Sequence, residues 1–206
     1  IIYCNNFNNT DQVWTDSTNS WNNEDEGNYW SDYKGQDLNG DGIGENPYTI
    51  DANNQDNHPL MGMFSDFKIN LEGKTYHVTT TCNSTLSEFR FEIGPETGNK
   101  MIRFNVTGKE SMAGFIRIMI PTELMNYPYI VLVGAEEIVP TLLDVSNKTH
   151  VYLYFTYHSS QTIAIISSKT LYLYNELLDR HIKLEMDLYN LNATYYGLLN
   201  DYGFLL

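Results

Sequence analysis

Asp37-Leu38-Asn39-Gly40-Asp41-Gly42-Ile43-Gly44-Glu45 places side-chain oxygens at positions 37, 39, 41 and 45, with Gly42 at the turn. Ca2+ takes about six to eight oxygen ligands, and a loop with such groups at its first, third and fifth positions and Gly at the sixth can wrap it. Asp37, Asn39, Asp41 and Glu45 would give side-chain oxygens, and Ile43 its backbone carbonyl. The EF-hand pattern then breaks, because the twelfth position is Tyr48 and not Glu. Asp32, Asp51 and Asp56 are candidates for the missing ligands. The plain alternative is an acidic turn without an ion, since Asn-Gly and Asp-Gly are turn dipeptides in their own right. Against it stands the mutual repulsion of so many carboxylates in a short span.

Other reactive residue types form no recognisable constellation. No GxSxG, HExxH or P-loop motif occurs, so no catalytic residue is assigned. His77, His150 and His158 fall on or beside expected strands without a nucleophile pattern. Two cysteines, Cys4 and Cys82, make no disulfide framework, and no CxxC pair points to zinc. They fall in different modules, which argues against pairing, while an oxidising exterior would permit it. Trp14, Trp21 and Trp30 sit among Asn, Asp and Gly. They read first as the apolar mass of a polar segment, and alternatively as a sugar-stacking platform together with acids such as Asp32.

These residues need a scaffold, and the charge pattern divides it. Residues 1–66 carry twelve of the 26 acids and one of the twelve bases, Lys34. The shift at Phe64-Ser65-Asp66 marks a boundary. Three modules are expected: a cap over 1–64, a β-sandwich over 65–167 and a helix over 168–206. In the first, Ile1–Cys4 reads as a short strand followed by Asn-rich corners.

The order Gly27-Asn28-Tyr29-Trp30-Ser31-Asp32-Tyr33, then Gly35, Asp37, Gly40-Asp41-Gly42-Ile43-Gly44, Pro47-Tyr48-Thr49-Ile50 and His58-Pro59-Leu60-Met61, resembles the C-terminal end of the right-handed β-helix in NosD-type (periplasmic copper-binding family) proteins. The resemblance covers about residues 1–62. It implies a β-solenoid terminal cap and an extracytoplasmic, archaeal-surface setting. It does not carry copper with it, because His58, Met61 and Met63 are a weak ligand set. One or two solenoid coils cannot bury their faces alone. Upstream coils outside this chain, or a neighbouring subunit, are therefore expected at the open strand edge of Ile1–Cys4. The chain opens without Met, which reads as processed or partial.

The second module alternates with period two. Glu88–Ile93, Met101–Val106, Ile116–Ile120 and Val151–Tyr157 are the clearest runs, with Tyr76–Thr81, Tyr129–Val133, Thr141–Val145 and Thr162–Ile166 added. About eight strands in a hundred residues predict an immunoglobulin-like sandwich. Such a sandwich often follows NosD-type ends, which the resemblance also implies. The third module repeats every seven residues. Leu177, Leu184, Leu191, Leu198 and Leu205 stand three residues after Tyr174, His181, Leu188, Tyr195 and Tyr202. This predicts a heptad-repeat coiled-coil helix that joins subunits. The alternative is a helix folded onto its own sandwich.

The net charge of −14 excludes a basic nucleic-acid footprint. No apolar run reaches the roughly 18 residues that span a bilayer. Asn8, Asn83, Asn105, Asn147 and Asn192 each begin an N-x-S/T sequon. The expected fold is mainly β with one C-terminal helix. The expected role is a non-enzymatic extracellular structural subunit of a surface layer, stalk or filament, forming homo-oligomers or polymers stiffened by Ca2+. A carbohydrate-binding or sugar-processing module and a calcium-dependent adhesin are the alternatives.

Overall fold

Runs such as Ile102-Arg103-Phe104-Asn105-Val106 have one apolar and one polar face. They can bury the first only by lying flat in a sheet against another sheet. A computed structural model describes residues 1–108 and 113–201. It builds two five-stranded antiparallel sheets from ten strands. These are β5 (Met63–Leu71), β6 (Lys74–Cys82), β7 (Thr85–Ile93), β8 (Lys100–Thr107), β9 (Ala113–Pro121), β10 (Tyr129–Val133), β11 (Glu136–Ile138), β12 (Thr141–Leu142), β13 (His150–His158) and β14 (Gln161–Ser167). One sheet runs β12-β13-β9-β6-β5, the other β11-β10-β14-β8-β7. Before them stand β1 (Asn6–Phe7), β2 (Tyr29–Trp30), β3 (Tyr48–Asp51) and β4 (Asn54–Asp56), and α1 (Lys169–Asp201) follows.

The core lies between the two sheets. Phe104 of β8, Ile116 and Ile118 of β9, Leu153 of β13 and Ile163 and Ile165 of β14 are all fully buried. Each such side chain stabilises by about 1.5–3 kcal/mol relative to exposure. The edges are managed. β12 is two residues long, β11 carries Glu136 and Glu137, and β7 shifts register between Ser87 and Arg90 with Glu88 at φ 53°. Short, charged or bulged edges resist pairing with another chain. The sandwich holds two strands beyond the expected eight, β5 and β11. The expected strand at Thr141–Val145 shortens to β12, because its chain turns away after Leu143.

The first 62 residues correct the expectation of a β-helix cap. They close no solenoid. Their parallel pairing is confined to β1–β2, two residues long, and one isolated bridge between Tyr29 and Leu60, and β3–β4 is an antiparallel hairpin. The apolar residues do not stack into a coil core. They form one aromatic pile instead: Trp30 lies between Phe7 and Tyr48, each 4.3 Å away and nearly parallel, with Trp21 tilted against it at 5.8 Å. Ile1–Cys4 is not a strand, and its N–H groups are not an open edge. Ile2 N–H donates to Ser20 O (2.8 Å) and Cys4 N–H to Gly27 O (2.7 Å).

The coiled coil is corrected as well. Among the described residues there is one helix, and no second helix packs on it. Every described side chain of α1 is exposed. Tyr174, Leu177, His181, Leu184, Leu188, Leu191, Tyr195 and Leu198 share one stripe, as their spacing requires, while Tyr202 and Leu205 lie outside the described residues. A second apolar stripe, Leu178, Ile182, Met186, Tyr189 and Tyr196, follows the 3.6-residue period about a third of a turn or more away. A seven-residue count sees only the first stripe. The described part of α1 is not long and apolar enough to cross a membrane.

Candidate functional site

The cap meets the sandwich on the outer face of the β12-β13-β9-β6-β5 sheet, and Arg117 marks the spot. β9 points Ile116, Ile118 and Ile120 inward, so Arg117 points out. Yet Arg117 is 4 % exposed. Its Nε donates to Glu26 Oε1 (3.1 Å) and its Nη1 to Asp41 O (2.9 Å). Its guanidinium lies 5.0 Å from the centre of the Tyr152 ring. A buried guanidinium needs this satisfaction, because an unpaired one would bear its full desolvation cost. Gly42 has φ +85°, and a Cβ there would press on Arg117 and Phe115 at 3.2–3.4 Å, so the chain passes close only as glycine. Burial and the neighbouring Glu26 carboxylate push the Tyr152 hydroxyl up to about 12. The same two causes push the Cys4 thiol to about 12, which leaves it unreactive.

The acidic loop 37–45 forms the rim. Asp37 Oδ1 accepts from the N–H of Gly40 and Asp41, and its Oδ2 from Gly42 N–H. Asp41 Oδ1 accepts from Ile43 N–H, and its Oδ2 from the Asn39 amide. Glu45 reaches back to the N–H groups of Leu38 and Asn39. The loop thus brings Asp37, Asn39, Asp41, Ile43 and Glu45 together. Its carboxylates are compensated by oriented backbone N–H groups. Asp32, Asp51 and Asp56 are engaged elsewhere, with Gln12 and Tyr48, with Asn53 and Asn54, and inside the cap. Among the described residues no three His, Cys, Asp or Glu side chains form a metal-holding group.

Inside the cap, Asp56 is fully buried. Its Oδ2 accepts from Asn28 N–H (2.7 Å) and Trp30 Nε1 (2.9 Å), and its Oδ1 from His58 N–H (3.0 Å). Burial raises its carboxyl above the ordinary value, and these donors pull the other way. Asn28 adds Ile2 O and Trp21 O as acceptors and takes both Asn5 N–H groups on its Oδ1. Trp21 Nε1 donates to Asn54 Oδ1. Trp21 and Trp30 are therefore structural, and no three-tryptophan sugar platform exists. Trp14 alone is exposed, at 82 %.

A cleft of about 400 Å³ opens between cap and sandwich, lined by Glu24, Asp25, Asp41 and Asp144 with Arg117 and His58. Ile43, Leu142, Leu143 and Val145 line it as well, so the cleft is part charged and part apolar. The sequons divide. Asn8 is exposed, and Asn147 Oδ1 accepts from Thr149 Oγ1 (2.7 Å) at an exposed turn. The amide of Asn83 donates to Ala113 O and that of Asn105 to Glu88. Asn192 is exposed on α1. Cys4 and Cys82 are both free.

Sequence reasoning passed over Arg117. The signal was present: Phe115-Ile116-Arg117-Ile118-Met119-Ile120 is nearly continuous in apolar residues, which marks a strand covered on both faces. It also passed over the buried roles of Asn28 and Asn54, and it read Asp56 as a spare ion ligand; all three take their roles from burial by distant segments. No known family profile, curated protein or solved structure matches this chain, so the NosD-type resemblance is not upheld.

Proposed function

We propose that this chain is a non-enzymatic extracellular structural module, with the capped immunoglobulin-like sandwich as its body and α1 as the arm through which copies join. One observation carries the reading. α1 runs 33 residues, about 50 Å, and leaves large apolar side chains such as Leu177 and Leu184 each 67 % exposed. Helices in water draw most of their stability from packing an apolar face. A helix whose described side chains find no such face among the described residues calls for one from outside. The exposed sequons at Asn8 and Asn147 favour an exterior setting, with glycans on the body. The same reading gives the 37–45 loop a Ca2+ ion as stiffener.

Sedimentation of the wild type against a Leu177→Ser/Leu184→Ser variant tests the joining role. The wild type is expected to associate with rising concentration, and the variant to stay monomeric with an unchanged melting temperature. A monomeric wild type at every concentration overturns the reading. For the ion, Ca2+ should raise the melting temperature and a chelator lower it, and indifference to both removes calcium.

A further inference from the structure

A groove of about 510 Å³ lies on the outer face of the same sheet, beside the part that the cap covers. Lys74, Tyr76, His77, Met119, Pro121, Glu123 and His150 are among its walls. Register brings two histidines to it. His150 of β13 pairs directly with Pro121 of β9. The β6–β9 ladder ends at Thr79 and Met119, and its register continued by two residues sets His77 level with Pro121. Residues level across a ladder point to the same face. The outward phase is confirmed by the buried inward neighbours Val78, Ile120 and Val151. His77 and His150 thus flank Pro121, and all three line the groove. Two strand spacings of about 4.8 Å separate them. Two imidazoles, each adding a metal–nitrogen bond of about 2.1 Å, can bridge that span.

The second feature is how the rings are held. His77 Nδ1 lies 2.8 and 2.9 Å from the two oxygens of Asp66. A carboxylate accepts only, so Nδ1 is the protonated nitrogen and the lone pair of the neutral ring sits on Nε2. His150 Nδ1 lies 2.9 Å from Thr149 Oγ1, which likewise leaves Nε2 for the groove. A carboxylate on the far nitrogen is how metal-binding imidazoles are oriented and made more basic.

We propose that this groove binds one divalent transition-metal ion of the zinc type through Nε2 of His77 and Nε2 of His150, with Asp66 orienting His77 and solvent completing the coordination. Imidazole suits Zn2+, Ni2+ and Cu2+, whereas Ca2+ and Mg2+ take oxygen. The site is separate from the acidic loop and from the joining role of α1.

The test is calorimetric titration of the full chain with ZnCl2 at about pH 7.5, with excess Ca2+ present throughout to occupy any oxygen site. Wild type is expected to show a Zn2+ site that His77→Ala and His150→Ala each weaken by about tenfold or more. Asp66→Asn, which keeps both imidazoles, is expected to weaken it by about 10- to 100-fold. Imidazole NMR of the unmutated chain gives an independent readout. Of the five histidines, the rings of His77 and His150 should shift together at one equivalent of Zn2+. Absence of Zn2+ binding, or unchanged affinity in any of the three variants, overturns the proposal. So does an NMR response centred on other histidines.

Discussion

Cap and sandwich are held together by opposite means. The sandwich buries isoleucine, valine, leucine and phenylalanine between two sheets and needs few polar contacts inside. The cap buries Asn28, Asn54 and Asp56 beside Trp21 and Trp30, and nearly every buried polar atom has a named partner. Apolar burial is non-directional, so strain at one position spreads to its neighbours. A hydrogen-bonded network is directional, so loss of one member strands the others. The sandwich is thus a body, and the cap is a fitted cover whose geometry is specified atom by atom.

Three measurements sharpen this contrast. Phe104→Ala removes a fully buried ring stacked 5.7 Å from Phe89. It should cost the most, near the upper end of about 3–5 kcal/mol in urea unfolding. Arg117→Met attacks the junction and strands Glu26. The loss should lie nearer the lower end of about 3–5 kcal/mol, because the Glu26 side chain keeps 13 % exposure. Adding Glu26→Leu should recover much of it, since an apolar pair replaces an orphaned charge. A double variant no better than the single would mean that the guanidinium bonds to Asp41 O and Tyr152 hold the cap instead.

The smallest effect is in pH. The Asp56 carboxyl is raised in the folded state above its unfolded value of 3.8. The folded chain therefore holds this proton more firmly. The resulting stabilisation is complete below the unfolded value and is lost as pH rises through the raised folded one. Unfolding curves at about pH 4 and pH 7 should show wild type gaining on Asp56→Asn at the lower pH. A difference that does not change with pH would place the donors of Asn28, Trp30 and His58 ahead of burial in setting this group.

What could be read from the chain follows the same division. Alternation exposed β8, β9, β13 and β14, because sandwich burial is a period-two property. β5 was hidden by the charge step at Asp66, which drew a boundary through its start. The cap was misread because turns rich in Asn, Gly and Asp suit many folds, and what decides among them is contact between residues far apart. Asn28 with Asp56 and Arg117 with Glu26 are such pairs. The heptad of α1 is a spacing in the sequence, and spacing along one helix does not supply a partner. At the acidic loop, the sequence showed which oxygens would gather. It could not show that backbone N–H groups would meet them.

Gly27 sets a limit on how the cap can vary. Any Cβ at that position would collide with the Asp56 carboxylate, a group already fixed by its own donors. Saturation mutagenesis at residue 27 should therefore return glycine alone among folded clones. Glu24 and Asp25, a few residues upstream and exposed to solvent, should accept nearly any amino acid. Drift in the cap's surface is then compatible with an invariant pivot beneath it.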